Sequence, residues 1–335
     1  MKILRKILFP VAFVYWLITY IRNVLYDKGL FKSQSFAIPV IAVGNLSVGG
    51  TGKTPQIEYL IRLLKDYKIA TLSRGYKRES EGFILANENA TAKTVGDEPF
   101  QFYSKFPEVL VAVDANRRNG ITELLKHKPD VILLDDAFQH RKVKAGFYIL
   151  LTTYNDLFCE DYILPFGNLR EPAMGKKRAN LIIVTKCPKD LSELAQEKIK
   201  KKLKVSIPVY FSTIVYDDYV YSENEKIKIS ELNEEKVLVA GIAKPDLFFD
   251  FLGNPKDERL VFPDHHDFTT DDIAKILATA KDKKIITTEK DYVRLKGKLP
   301  VTQLYYLPIQ SKLIHNETNF NTKILDYVGT SSRNR

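Results

Sequence analysis

The run Ile38-Pro-Val-Ile-Ala-Val-Gly-Asn-Leu-Ser-Val-Gly-Gly-Thr-Gly-Lys-Thr54 decides the fold. Its aliphatic half, Ile38 to Val43, has the unbroken apolar character of a strand buried on both faces of a parallel sheet. The other half holds Gly44, Gly49, Gly50 and Gly52 and ends in Gly52-Lys53-Thr54. Beyond it Ile57, Leu60, Ile61 and Leu64 recur at helical spacing, which predicts a helix from Gln56 to Lys65. Strand, glycine loop, Lys-Thr and helix together describe a phosphate-binding loop, in which backbone N–H groups and the helix N-terminus meet phosphate oxygens. Ser47, Val48, Gly49, Gly50, Thr51, Gly52, Lys53 and Thr54 are therefore the expected nucleotide contacts, with Lys53 on the β/γ-phosphates and Thr54 on Mg²⁺. The general pattern G-x-x-x-x-G-K-[ST] puts glycine at position 47, where this chain has serine. The neighbouring glycines supply the backbone freedom the loop needs.

Outward from this loop, Val131-Ile-Leu-Leu-Asp135-Asp136-Ala-Phe-Gln139-His140 is four aliphatics ending in paired carboxylates. A phosphate-loop protein holds Mg²⁺ and its waters with such a strand end. Further strands are expected at Ile69–Leu72, Val109–Val113, Phe147–Thr152 and Leu181–Val184, separated by helices, which makes a parallel, helix-covered sheet. The first of these empties into Ser73-Arg74-Gly75-Tyr76-Lys77-Arg78, cations where open α/β sheets bind ligands, or a basic surface turn. Asp97 and Glu98 open a helix, where carboxylates also serve as caps. Guanine readers end a strand in [NT]-K-x-D. Thr185-Lys186-Cys187-Pro188 lacks that aspartate, which points to adenine.

At 335 residues, 45% hydrophobic and 27% charged, the chain suits two domains, or one with a large appendage, and can bury a sizeable core. Cys159 and Cys187 fit no metal spacing, and the five histidines are scattered, so free thiols in a reducing compartment are expected. A net charge of +10 favours an anionic partner, or reflects a lysine-rich helix end around Lys198–Lys204. Its cations are not interleaved with aromatics as in a nucleic-acid module, and no nucleic-acid partner is expected.

Residues 1–32 stand apart: Lys2, Arg5 and Lys6 precede an almost wholly apolar run, Ile7 to Ile21, with Arg22, Lys28 and Lys32 beyond. As a helix the run spans about 22 Å, short of a ~30 Å hydrocarbon core. Tyr15, Trp16, Tyr20 and Tyr26 favour a membrane–water interface, and the basic flanks suit an anionic cytoplasmic leaflet. A helix packed on its own domain fits the run equally well. After Val205, extended segments Val209–Val215 and Tyr219–Ile229 are expected to form a hairpin about Asp217-Asp218, followed by a smaller α/β unit. The expected division is an N-terminal helix at 1–32, a phosphate-loop core at 33–206, a two-stranded linker at 207–232, a small domain at 233–328 and a frayed tail at 329–335.

Taken in order, Val43–Pro55, Ser73–Tyr76, Val95–Glu98, Leu134–Arg141, Leu169–Pro172, Ala240–Ile242, Phe262–His266 and Thr288–Asp291 resemble the tetraacyldisaccharide 4′-kinase (lipid A 4′-kinase) family. The family carries Ser or Thr at the position of Ser47 and often Gly at that of Ala137. The resemblance implies transfer of the γ-phosphoryl of ATP, with Mg²⁺, to the 4′-hydroxyl of a tetraacyldisaccharide 1-phosphate. It also implies a membrane-associated first helix, peripheral or monotopic on the cytoplasmic face of the inner membrane, with the anionic membrane surface and the lipid as partners. By the same resemblance Asp97 is the general base, paired with His265 of the second domain. Asp136 and Glu98 would hold the metal directly or through water, with Asp135 and Gln139 in support. Asn45, Arg74, Tyr76, Lys77, Arg78 and Arg170 are the expected substrate contacts, with Arg74, Lys77 and Arg78 set for the substrate's phosphate or the lipid surface. The alternatives from other classes are a phosphate-loop ATPase working as a conformational switch and a kinase of a soluble sugar.

Overall fold

A computed structural model describes residues 8–264 and 266–333. Helix α1 (Phe9–Asp27) precedes strand β1 (Val40–Asn45), buried along its whole length. The core then runs α2 (Lys53–Leu63), β2 (Ile69–Ser73), β3 (Ile84–Leu85), α3 (Ala92–Val95), α4 (Asp97–Lys105), β4 (Leu110–Val113) and α5 (Arg117–Leu125). It continues with β5 (Val131–Asp135), β6 (Phe147–Thr153), β7 (Leu181–Thr185), α6 (Glu193–Leu203) and β8 (Val209–Tyr216). The smaller half contains β9 (Tyr219–Tyr221), β10 (Lys226–Lys228), β11 (Lys236–Ala240), α7 (Asp246–Leu252), β12 (Glu258–Val261) and α8 (Thr270–Ala280). The chain ends with β13 (Lys284–Thr288), α9 (Glu289–Leu295), β14 (Leu304–Leu307), β15 (Ile309–Leu313) and α10 (Glu317–Arg333).

Two sheets form, a nine-stranded one in the order β15-β8-β7-β6-β1-β5-β2-β4-β3 and a six-stranded one in the order β10-β9-β14-β13-β11-β12. The large sheet is parallel from β8 to β4, with antiparallel strands only at its edges, β15 and β3. Strand β1 lies between β5 and β6, with β2 to β5 all on one side of it and β6 to β8 on the other. The switch point of the sheet therefore falls at the end of β1, where the phosphate loop begins.

The expected hairpin after Val205 does not form. Val209–Tyr216 pairs in parallel with β7 and antiparallel with Ile309–Leu313, while Tyr219–Tyr221 joins the small sheet beside β14. The two-stranded connection is thus β8 with β15, and the chain crosses between sheets at Asp217-Asp218 and at Pro308. The reason is burial. Tyr210 and Leu313 belong to the large core, so each strand completes that sheet in preference to pairing locally. Residues 329–333 are not a frayed tail but the last turn of α10. Phe320, Ile324 and Val328, all fully buried against the large core, nucleate a helix that the polar end merely extends.

Helix α1 lies against the core by one face. Ala12 and Asn23 are buried, whereas Phe9, Val11, Phe13, Val14, Leu17, Ile18 and Ile21 are 40–60% exposed. No helix among the described residues is long and apolar enough to cross a membrane. The basic flank Lys2, Arg5 and Lys6 lies outside the described residues.

Candidate active site

Helix α2 starts from Gly52, whose φ of 81° is left-handed, and no side chain caps this end. Its first-turn N–H groups and dipole are left for an anion. Gly49, at φ 106°, makes the turn before it. At Gly44 a Cβ would lie 2.7 Å from that of Phe138, so glycine here lets the segment after β5 pack onto β1. Thr185 at the end of β7 braces the loop by donating to the Thr51 carbonyl at 2.8 Å. A second segment pairs with the loop from outside: the Val48 N–H donates to the Asn168 carbonyl at 2.8 Å and the Arg170 N–H to that of Leu46 at 2.7 Å.

Asp136 is the electrostatic centre. Arg170 holds it with two hydrogen bonds, at 3.0 and 2.8 Å, and Lys53 Nζ lies 3.8 Å away. Burial alone would raise its pKa, but the Arg170 hydrogen bonds and the Lys53 charge hold it below the usual carboxylate range. Asp135 behaves oppositely: burial, then the Asp136 charge, push it up to about 6. Arg170 also donates to the Asn45 carbonyl at 3.0 Å and to the Asn45 side chain, while Asn45 Nδ2 donates to the Ser47 carbonyl at 2.7 Å. Asn45, Ser47, Lys53, Asp136 and Arg170 are thereby one connected group at the carboxyl ends of β1 and β5.

Asp97 and Glu98 open α4. Gly96, at φ 95°, presses this turn against the Gly75–Tyr76 backbone, where a Cβ would lie 3.3 Å from the Tyr76 carbonyl. Glu98 is near enough to push the Asp135 pKa upward. Asp97 forms an ion pair with Arg294 of α9, joining the two halves of the molecule at this point. His265 lies outside the described residues. Its neighbour His266 is engaged elsewhere, with Nε2 2.8 Å from Asp272 Oδ2 and its ring stacked on Phe262.

Other expected residues divide. Arg74, Tyr76 and Lys77 stand exposed at the end of β2. Arg78 does not extend outward with them: it donates to the carbonyls of Val113, at 3.4 Å, and Gly82, at 2.5 Å, and so braces its own loop. Gln139 donates to the Asn45 carbonyl at 2.8 Å and to Glu171 at 3.0 Å. Arg170, expected at the acceptor, holds Asp136 and Asn45. The sequence reading did not single out Arg117, Arg294, Lys105 or Glu171 as parts of the site. Buried Arg117 donates to the Asp135 carbonyl at 3.2 Å, and burial lowers its pKa only to about 10, so it stays cationic at neutral pH. Only the Arg-Glu pair at 170–171 was visible as a motif, and nothing local tells what it contacts.

The donor set suits Mg²⁺. Asp135 Oδ1 and Gln139 Oε1 are buried with no hydrogen-bond partner, and the residues about them offer oxygen, which a hard cation prefers. Among the described residues no three His, Cys, Asp or Glu side chains are arranged to hold a metal alone.

A parallel sheet with a phosphate loop at its switch point, a paired Lys–Asp and an oxygen-rich strand end define a phosphate-loop nucleotide enzyme. The family model described as tetraacyldisaccharide-1-P 4′-kinase matches residues 4–329, and the chain belongs to this family. It is 63% identical to the tetraacyldisaccharide 4′-kinase of Flavobacterium johnsoniae over 98% of both chains. It is 44% identical to that of Bacteroides thetaiotaomicron, over 99% of this chain and 95% of the relative. The crystal structure of LpxK from Aquifex aeolicus in complex with ATP matches with a TM-score of 0.81 at 32% identity, covering 97% of this chain and 99% of that one.

Proposed function

We propose that the protein is a lipid A biosynthesis kinase that transfers the γ-phosphoryl of ATP to the 4′-hydroxyl of tetraacyldisaccharide 1-phosphate. The observation that carries this reading is the connected group Asn45–Lys53–Asp136–Arg170 at the switch point, in a chain that matches the family from residue 4 to 329. Lys53 and the N–H groups of 47–54 bind the β/γ-phosphates. Thr54, Asp136 and Glu98, with Asp135 and Gln139, hold Mg²⁺, which when bound neutralises charge on the phosphate oxygens. Asp97, partnered by His265, takes the proton of the acceptor hydroxyl as its oxygen bonds to the γ-phosphorus. The bond to the β-phosphate oxygen breaks and ADP leaves. Arg294 supports this by fixing where the Asp97 carboxylate points. Arg74, Tyr76 and Lys77 face the anionic acceptor.

The exposed apolar face of α1 supports an interfacial placement, lying in the cytoplasmic leaflet of the inner membrane as a peripheral or monotopic element. Incubation with γ-labelled ATP, Mg²⁺ and the disaccharide 1-phosphate lipid in detergent tests the whole reading. Label on the lipid is the expected result. Label released only as inorganic phosphate would make the protein a switch ATPase.

A further inference from the structure

The inward face of α1 carries a residue that a membrane anchor does not need. Asn23 is 7% exposed within a helix whose solvent-facing side is mostly apolar. Asparagine is a poor helix former, and a buried amide is costly unless hydrogen-bonded. Its Nδ2 donates at 2.7 Å to Glu171 Oε2, and Glu171 is itself 2% exposed. The other oxygen of Glu171 accepts from Gln139 Nε2 at 3.0 Å and from Arg178 at 2.7 Å. Gln139 Nε2 also donates to the Asn45 carbonyl at 2.8 Å, and Asn45 Nδ2 to that of Ser47 at 2.7 Å. Polar contacts thus run without a break from the first helix to the phosphate loop. Two neighbours on the same face act alike: Tyr15 Oη donates to the Arg170 carbonyl at 2.9 Å and Arg22 to that of Gln139 at 3.0 Å.

We propose that Asn23, Tyr15 and Arg22 are positioning residues for phosphoryl transfer, through which the seating of α1 sets the geometry of Gln139 and Arg170. The helix then supports turnover separately from any hold it has on lipid. The physical reason is that Glu171, 2% exposed, is shielded from the bulk solvent that would otherwise replace a lost partner. Without the Asn23 amide its carboxylate shifts, and Gln139 and Asn45 shift with it. A displacement of about 1 Å at reacting groups costs on the order of a hundredfold in rate. The inference rests on the kinase reading above.

The test uses the full chain, γ-labelled ATP and the detergent-dispersed lipid acceptor, with co-sedimentation on phosphatidylethanolamine–phosphatidylglycerol vesicles alongside. Wild-type labelling of the lipid decides the kinase reading; the ratio of variant to wild type decides this one. Asn23→Leu is expected to lower kcat by roughly tenfold or more, as loss of an orienting partner does, with KM for ATP within about twofold and vesicle binding unchanged. Asn23→Gln, which keeps an amide, is expected to recover part of the rate. Unchanged kcat in Asn23→Leu overturns the proposal, as does a loss of turnover matched by a loss of vesicle binding. Should Asn23→Leu fail to fold by circular dichroism, Tyr15→Phe and Arg22→Met each remove one bond and carry the same expectation. Unchanged kcat in both overturns it.

Discussion

Asp136 takes a left-handed backbone, φ 47°, directly after β5. Asp is among the few non-glycine residues that tolerate this conformation. The turn aims its carboxylate at Lys53 and Arg170 instead of along the strand. Arg170→Lys would keep the charge but lose the planar two-point grip. We expect kcat to fall by roughly tenfold or more with folding intact, checked by steady-state kinetics beside a thermal melt. Asp97→Ala tests the base. Turnover is expected to drop by about two or more orders of magnitude while equilibrium ATP binding stays near wild type. A matching loss of ATP binding would instead make Asp97 part of the nucleotide site.

Helices α4 and α9 run antiparallel, pinned at one end by Asp97–Arg294 and at the other by Lys105–Glu289. Lys105 Nζ sits 2.7 Å from Glu58 of α2 and 2.6 Å from Glu289, so one cation joins the phosphate-loop helix, the Asp97 helix and the small domain. Burial, then the Glu58 charge, raise Glu289 to about 7. A carboxyl raised in the folded state stabilises the fold in its protonated form. Its contribution is complete below the unfolded pKa of about 4.5 and is lost as pH rises through about 7. Glu289→Gln removes the titration, and melting temperature measured from pH 5 to 8 is expected to decline less steeply in the variant than in wild type. At the first helix, replacing Phe13, Leu17 and Ile18 together by Ser strips the exposed apolar face. Vesicle co-sedimentation is expected to weaken by at least about tenfold, since each buried aliphatic or aromatic side chain contributes about 1.5–3 kcal/mol.

Across the whole molecule, the last strand and helix close the first domain. Tyr327 of α10 accepts from the Val40 N–H at 3.1 Å and donates to its carbonyl at 3.2 Å, at the root of the phosphate-loop strand. The small domain is therefore an insertion between β8 and β15 of the large sheet. Phe320→Ala, at a fully buried site in the large core, is expected to destabilise by about 3–5 kcal/mol in denaturant unfolding. A loss below about 1 kcal/mol would mean that α10 contributes little to that core.

Adjacent residues explain what could be read directly. The phosphate loop, the Asp135-Asp136 strand end, the helical spacing of Ile57 to Leu64 and the apolar character of α1 are all patterns within a dozen or so neighbours, where local geometry and burial dictate residue type. Asp97 was visible only as a helix-start carboxylate, and family resemblance alone gave it a role. Arg294 and Lys105 had no such signal, because each pairs with a residue nearly two hundred positions away, and Glu171, inside the Leu169–Pro172 motif, gave no hint of its bond to Asn23 on the first helix. The pairing of β8 with β15 was hidden for the same reason: strands close to each other in the chain compete with a distant partner, and the larger core won. The sequence by itself determined the donor-phosphate chemistry, through a loop whose residues act as neighbours. Folding alone determined how the acceptor side, the small domain and the first helix are tied to that loop, since buried charges and amides must find partners wherever the packed chain brings them.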